Sequence, residues 1–139
     1  MDLFNEKNHL EDPYDRVYLY YSEEYHKGSH RFKDNRNNTI NDAVFLEGFK
    51  DNRNIKVVSA NYRFNVIKDE AFSGCSNLDT VYLPDSIEYV GSNAFVGCSS
   101  SLIITINSYI TCQSDSFGSG TKITNNSGNI SSYYTYISN

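Results

Sequence analysis

The chain has 139 residues, a net charge of −5 and a pI near 5.1, with 39% hydrophobic residues that include 12 Tyr and 8 Phe. That length suits one domain, and the acidic balance argues against a general nucleic-acid binder, whose surface is normally basic. No run of about 18 apolar residues occurs, so no membrane insertion is expected.

The N-terminus, MDLFNEKNHLED, has neither a basic n-region nor an apolar h-region, so no signal peptide is visible. Three cysteines, Cys75, Cys98 and Cys112, form an odd set without an export signal. That favours free thiols in a reducing compartment over a disulfide framework, and an intracellular or virion-associated location over classical secretion. Residues 15–25, DRVYLYYSEEY, alternate as a strand does, with Val17 and Leu19 on one side. Residues 26–42, HKGSHRFKDNRNNTIND, are polar and rich in Asn, and read as loop. The first 43 residues are expected to form an N-terminal cap, with Val17 to Tyr21 adding to a sheet.

From residue 44 the chain repeats. Ala71-Phe72 and Ala94-Phe95 stand 23 residues apart, as do Cys75 and Cys98. Stepping back by the same interval pairs Phe72 with Phe49, Leu78 with Ile55, Val81 with Val58, Ile87 with Phe64 and Val90 with Ile67. Stepping forward pairs Val81 with Ile104, Leu83 with Ile106 and Ile87 with Ile110; the next ring, Phe117, comes one residue early, which implies a deletion. The units are therefore Val44–Val66, Ile67–Tyr89, Val90–Cys112 and a decayed one from Gln113. Within a unit, Leu78, Val81 and Leu83 end in strand alternation. Pro84, Asp85 and Ser86 then break the strand, because Pro donates no ladder hydrogen bond and Asp and Ser favour turns. A unit this small cannot bury its own apolar face and must stack on a neighbour.

Ile67, Ala71, Phe72, Gly74, Cys75, Leu78, Val81, Leu83, Pro84, Ser86 and Ile87 together resemble the unit of the BspA-like, or Treponema pallidum type, leucine-rich repeats. The resemblance implies a curved solenoid with one strand per unit on the concave side and irregular turns opposite. It also implies action by protein binding, often on bacterial surfaces or in host attachment. The expected architecture is mainly β: a short leucine-rich-repeat solenoid of three to four units over 44–122, the cap over 1–43, and a polar tail over 123–139. The tail carries no charged side chain, and its SSYYTYIS stretch reads as an edge strand or as an extension ordered on a partner.

Candidate chemistry is sparse. Cys75 and Cys98 lack the C-x-x-C spacing and the histidines of a zinc site, and are read as small buried residues filling each turn. His26 and His30 are four apart, a metal-binding spacing on a helix, but Gly28 and Ser29 between them disfavour one. Asp69-Glu70 and the Asp12, Asp15 pair are read as solvated carboxylates, since acid/base work needs a raised pKa. GSGTK (118–122) lacks the spacing of a phosphate loop and is read as a flexible connection. The expectation is therefore no enzyme, no cofactor and no metal site.

What remains is surface. Residues between the apolar anchors are expected to face the concave side: Lys56, Val57 and Ser59, then Asp79, Thr80 and Tyr82, then Leu102, Ile103 and Thr105. Of these, Lys56, Asp79, Thr80, Tyr82 and Thr105 are the candidate partner-binding residues. Tyr82 leads, because an amphipathic ring is favoured at interfaces. The expected function is a non-enzymatic protein-binding module. The alternative is a structural component of a phage or virus particle or a cell-surface layer, where neighbouring copies order the chain.

Overall fold

The computed structural model describes residues 9–11, 16–19, 31–33, 37, 39–61, 63–107, 110–124 and 134–137. In chain order the strands are β1 (His9–Glu11), β2 (Arg16–Leu19), β3 (Arg31–Lys33), β4 (Thr39–Asn41), β5 (Phe45–Leu46), β6 (Val57–Ala60) and β7 (Val66–Ile67). They continue with β8 (Thr80–Tyr82), β9 (Tyr89–Val90), β10 (Ile103–Thr105), β11 (Ile110–Gln113), β12 (Lys122–Thr124) and β13 (Tyr134–Ile137). No helix occurs among the described residues.

The strands form a solenoid of about three turns. The first sheet runs β1-β2-β6-β8-β10-β12, and the second runs β13-β11-β9-β7-β5. Every pairing in the two is parallel except β1 with β2. Each turn thus contributes a strand to both sheets, where the family resemblance implied one strand and irregular turns. The second strand is only two residues long in β5, β7 and β9, too short to announce itself by alternation.

Between its two strands each turn carries a phenylalanine. Phe49, Phe72, Phe95 and Phe117 stack in a column, with ring centroids 5.4, 5.2 and 5.8 Å apart and planes within 10° of parallel. Backbone hydrogen bonds climb beside the column: Phe49 N–H donates to Ala71 O, Phe72 N–H to Ala94 O and Phe95 N–H to Ser116 O. The inward faces add aliphatic columns. Val17, Val58, Val81, Ile104 and Ile123 align across the first sheet, and Leu46, Ile67, Val90 and Cys112 across the second. All nine are buried. Close stacking also dictates glycine: a Cβ at Gly91 would lie 2.6 Å from Asp69 N.

The units are not of one length inside. Asp79 and Thr80 N–H both donate to the Lys56 carbonyl, and Glu88 and Tyr89 both donate to that of Asn65. One carbonyl receiving two donors absorbs an extra residue, as a bulge does. In the next turn the slack is taken up, with Ile103 donating to Asp79 O and Thr111 to Glu88 O. The register accordingly pairs Thr111 with Tyr89, a step of 22, and the deletion falls at this point. Ile110 and Ile87 still lie together in the main core.

Two expectations for the N-terminal part meet different outcomes. The β2 strand pairs in parallel with β6, Val17 opposite Val58; Tyr20 and Tyr21 lie outside the described residues. The stretch read as loop instead contains a hairpin, β3 with β4, Phe32 opposite Ile40. Its reason is apolar: Phe32 and Ile40 pack on the outer side of the second sheet, against Ala43, Val66 and Tyr89. The Phe32 ring lies 6.0 Å from Phe45 and 5.1 Å from Tyr89. Ion pairs tie the first turns together on the surface, Asp42 with Arg63, Glu47 with Lys68 and Lys50 with Glu70; exposed pairs of this kind contribute at most about 1 kcal/mol each.

Truncating a ring in the column opens a cavity in a packed interior. Phe72→Ala and Phe95→Ala are each expected to cost about 3–5 kcal/mol in urea unfolding. Phe117→Ala, at a half-buried ring stacked on one described neighbour, is expected to cost clearly less. Near-neutral values for Phe72→Ala and Phe95→Ala would remove the column from its place in the core.

Candidate interaction surface

The outward side of the first sheet is the candidate site, and strand alternation builds it. Where Val17, Val58, Val81, Ile104 and Ile123 point inward, their neighbours point out. The strand pairings arrange those neighbours in two rows. One runs Arg16, Val57, Thr80, Ile103, Lys122, and the other Tyr18, Ser59, Tyr82, Thr105, Thr124. Tyr18, Tyr82 and Ile103 are the exposed large hydrophobic residues among those described, at 40%, 49% and 43% exposure. The centre of the face is thus apolar and hydroxyl-bearing, with a cation at each end of one row.

The five predicted contact residues fall on or beside this face. Thr80, Tyr82 and Thr105 lie in the two rows, Thr105 Oγ1 standing 3.5 Å from Thr124 Oγ1. Lys56 and Asp79 sit just ahead of β6 and β8, exposed at the rim rather than within the strands. Asp79 Oδ1 accepts a hydrogen bond from Thr80 Oγ1 at 2.9 Å. Val57, Ser59 and Ile103 also lie in the rows, as expected. Leu102 does not: it is fully buried. Ser99, Ser100 and Ser101 lengthen the run from Cys98 to Leu102 by one residue, and the run from Leu102 to Ile104 is shorter by one. Leu102 therefore takes the place of Leu78 in the core. Sequence reasoning passed over Arg16, Tyr18, Lys122 and Thr124, because their strands lie outside the clear repeats.

The cysteines line the interior. Cys75 Sγ donates to Phe49 O at 2.9 Å and Cys98 Sγ to Phe72 O at 3.2 Å, one thiol per turn on the same class of carbonyl. Burial pushes the Cys75 thiol up to about 11 and those of Cys98 and Cys112 up to about 12, so all three are protonated at neutral pH. Asp69 Oδ1 accepts from Ser92 N at 2.8 Å, and Glu70 pairs with Lys50, so these carboxylates join neighbouring turns. The GSGTK stretch is a tight turn into β12, with Thr121 N–H donating to Gly118 O. No cluster of three or more His, Cys, Asp or Glu suited to a metal occurs among the described residues. His26, His30, Asp12 and Asp15 lie outside them.

A folded-state thiol pKa above the unfolded value near 9 makes a contribution to stability that is complete below that value and declines as pH rises toward 11–12. Thermal unfolding is expected to show a steeper loss of Tm between about pH 8.5 and about pH 10.5 for the native chain than for a variant with all three cysteines changed to Ala. Native-state labelling by a thiol reagent at pH 7.5 is expected to be slow at Cys75 and Cys112 (a reference pH of about 7.5 lies far below either pKa). Rapid labelling would count against their burial.

Searches of curated proteins and of solved structures return no match to this chain. Among the described residues, no helix is long and apolar enough to cross a membrane. Residues 35–139 match the profile described as a BspA type leucine rich repeat region (6 copies). The match starts ahead of Val44 and runs past Lys122, taking in the uncharged C-terminal stretch whose Tyr134–Ile137 pairs in parallel with β11. Phenylalanine column, thiol positions and paired parallel sheets accord with that match, and the chain belongs to the BspA-type leucine-rich-repeat family.

Proposed function

We infer that this chain is a non-enzymatic protein-binding module whose contact surface is the outward side of the first sheet. Leucine-rich repeats are interaction modules as a class, stacking short units into an extended binding surface, and repeat families of this type are typically without catalysis. The observation that carries the reading is the cluster of exposed apolar side chains on that one side, Tyr18, Tyr82 and Ile103, amid short hydroxyl residues. A partially exposed ring with a polar tip supplies contact area while keeping the free protein soluble.

The ends of the solenoid support the same reading. The N-terminal segment, residues 1–43, serves as the cap: β2 continues the parallel ladder and β1 ends it in the antiparallel sense. Val17 and Leu19 of β2 thereby cover the N-terminal end of the apolar core, and the outward side of the sheet is left open. The comparisons lend no support to a particle or surface-layer role.

A photo-crosslinking residue placed at Tyr82 in cells of the source organism is expected to yield a discrete protein adduct. The same residue at Ser114, exposed and away from the face, is expected to yield none. Equal labelling at both positions, or adducts from Ser114 alone, would overturn the assignment. An adduct of twice the chain mass would identify a neighbouring copy as the occupant and favour the assembly role.

A further inference from the structure

Tyr18 and Tyr82 stand in one row of the face with Ser59 between them. Both rings are exposed, whereas Ser59 is short and half-buried. The row therefore has a notch one strand wide, floored by β6, with a ring on each side. Two strand steps of about 4.8 Å set the bases of the two rings about 9.6 Å apart. Ile103 sits diagonal to Tyr82 on the next strand and extends the apolar border. The outward residues of β6, β8 and β10 are Val57, Ser59, Thr80, Tyr82, Ile103 and Thr105, which hold no carboxylate, ammonium or guanidinium.

We propose that the occupant of this notch is a proline-rich segment in the polyproline II conformation, laid across the strands. The proposal rests on the reading of this side as the contact surface and adds the chemistry of the partner. A polyproline II helix has three residues per turn and advances about 9.3 Å per turn, so the same edge returns at each ring. An extended strand brings its same-side residue back after about 6.7 Å, out of step with the two rings. The polyproline II backbone makes no internal hydrogen bonds, which leaves its carbonyls to accept from the tyrosine hydroxyls. The face offers few large side chains, and a small contact does not repay the ordering of a flexible chain. A proline-rich segment is already ordered before it docks, which is how aromatic-lined surfaces hold it in general. The uncharged strands suit an uncharged segment, since no ionic group around the notch has to be stripped of water. The recognised pattern is Pro-x-x-Pro, one proline on each ring with the backbone between them over Ser59.

The test is anisotropy of a fluorescein-labelled decaproline peptide with the full chain, beside a flexible Gly-Ser decapeptide and an alternating Thr-Val decapeptide that extends as a strand. Decaproline is expected to bind and the other two are not. Tyr18→Ala and Tyr82→Ala are each expected to weaken it about tenfold or more, while keeping the Tm of the native chain. Tyr82→Phe, which keeps the ring, is expected to weaken it about threefold through the lost hydroxyl. Binding is expected to change little with salt, since no ion pair carries it. Preference for the Thr-Val peptide, lost with Tyr82→Ala, would overturn the polyproline partner and leave the contact surface standing. Decaproline binding indifferent to both tyrosines would overturn the notch as its site. No decaproline binding, with discrete crosslinks still formed from position 82, would overturn the partner chemistry alone; loss of both would overturn the contact surface as well. Tighter binding of a β-linked glucose oligomer, dependent on the same two rings, would make the occupant a glycan instead.

Discussion

The column of phenylalanine rings sets the terms for the rest of the fold. Rings stack offset because their quadrupoles disfavour a direct face-to-face sandwich, and the centroid spacings of 5.2–5.8 Å exceed a strand step of about 4.8 Å in keeping with that offset. Each ring must return at the same height in its turn and at the same angle, or the column breaks. This fixes where the chain enters and leaves each strand. It also fixes which backbone groups meet: Phe72 N–H finds Ala94 O because both rings sit in register.

Around that column the turns satisfy their polar groups on one another as well as within themselves. Cys75 and Cys98 thiols donate to the carbonyls of Phe49 and Phe72, the Ser86 hydroxyl to that of Phe64, and the Asn77 amide to that of Arg53. Each bond crosses to the preceding turn. A single unit therefore leaves both apolar surface and polar groups unmet, which is why stability in such a fold resides in neighbour interfaces. Where the pattern changes, another atom fills the role: Ser116 stands in the place of Ala94 and its hydroxyl donates to Val90 O and accepts from Gln113 N.

The strong repeat was readable because identical rings and thiols recur at one interval. The outward residues Thr80, Tyr82, Ile103 and Thr105 followed from strand alternation alone. Leu102 was misplaced because two one-residue changes in opposite directions leave the overall period intact, so the interval gives no warning of them. The β3–β4 hairpin was hidden for another reason. Its apolar residues, Phe32 and Ile40, are isolated in a polar stretch, and the partners that make them intelligible, Phe45 and Tyr89, lie elsewhere in sequence. Arg16 belongs to the N-terminal segment ahead of the repeats and Lys122 to the decayed last unit, so their place on the face emerged only once the sheet was assembled.

The carbonyls of Lys56 and Asn65, each taking two donors, separate the length of a unit from the rise of the solenoid. A turn that has this slack can lose a residue there, as the turn carrying Ile103 and Thr111 does, while the next strand still lands opposite its neighbour. Substitution and small changes of length are thereby confined to local joints. The face can be rewritten row by row, in chemistry and in partner, on an interior that does not have to be solved again.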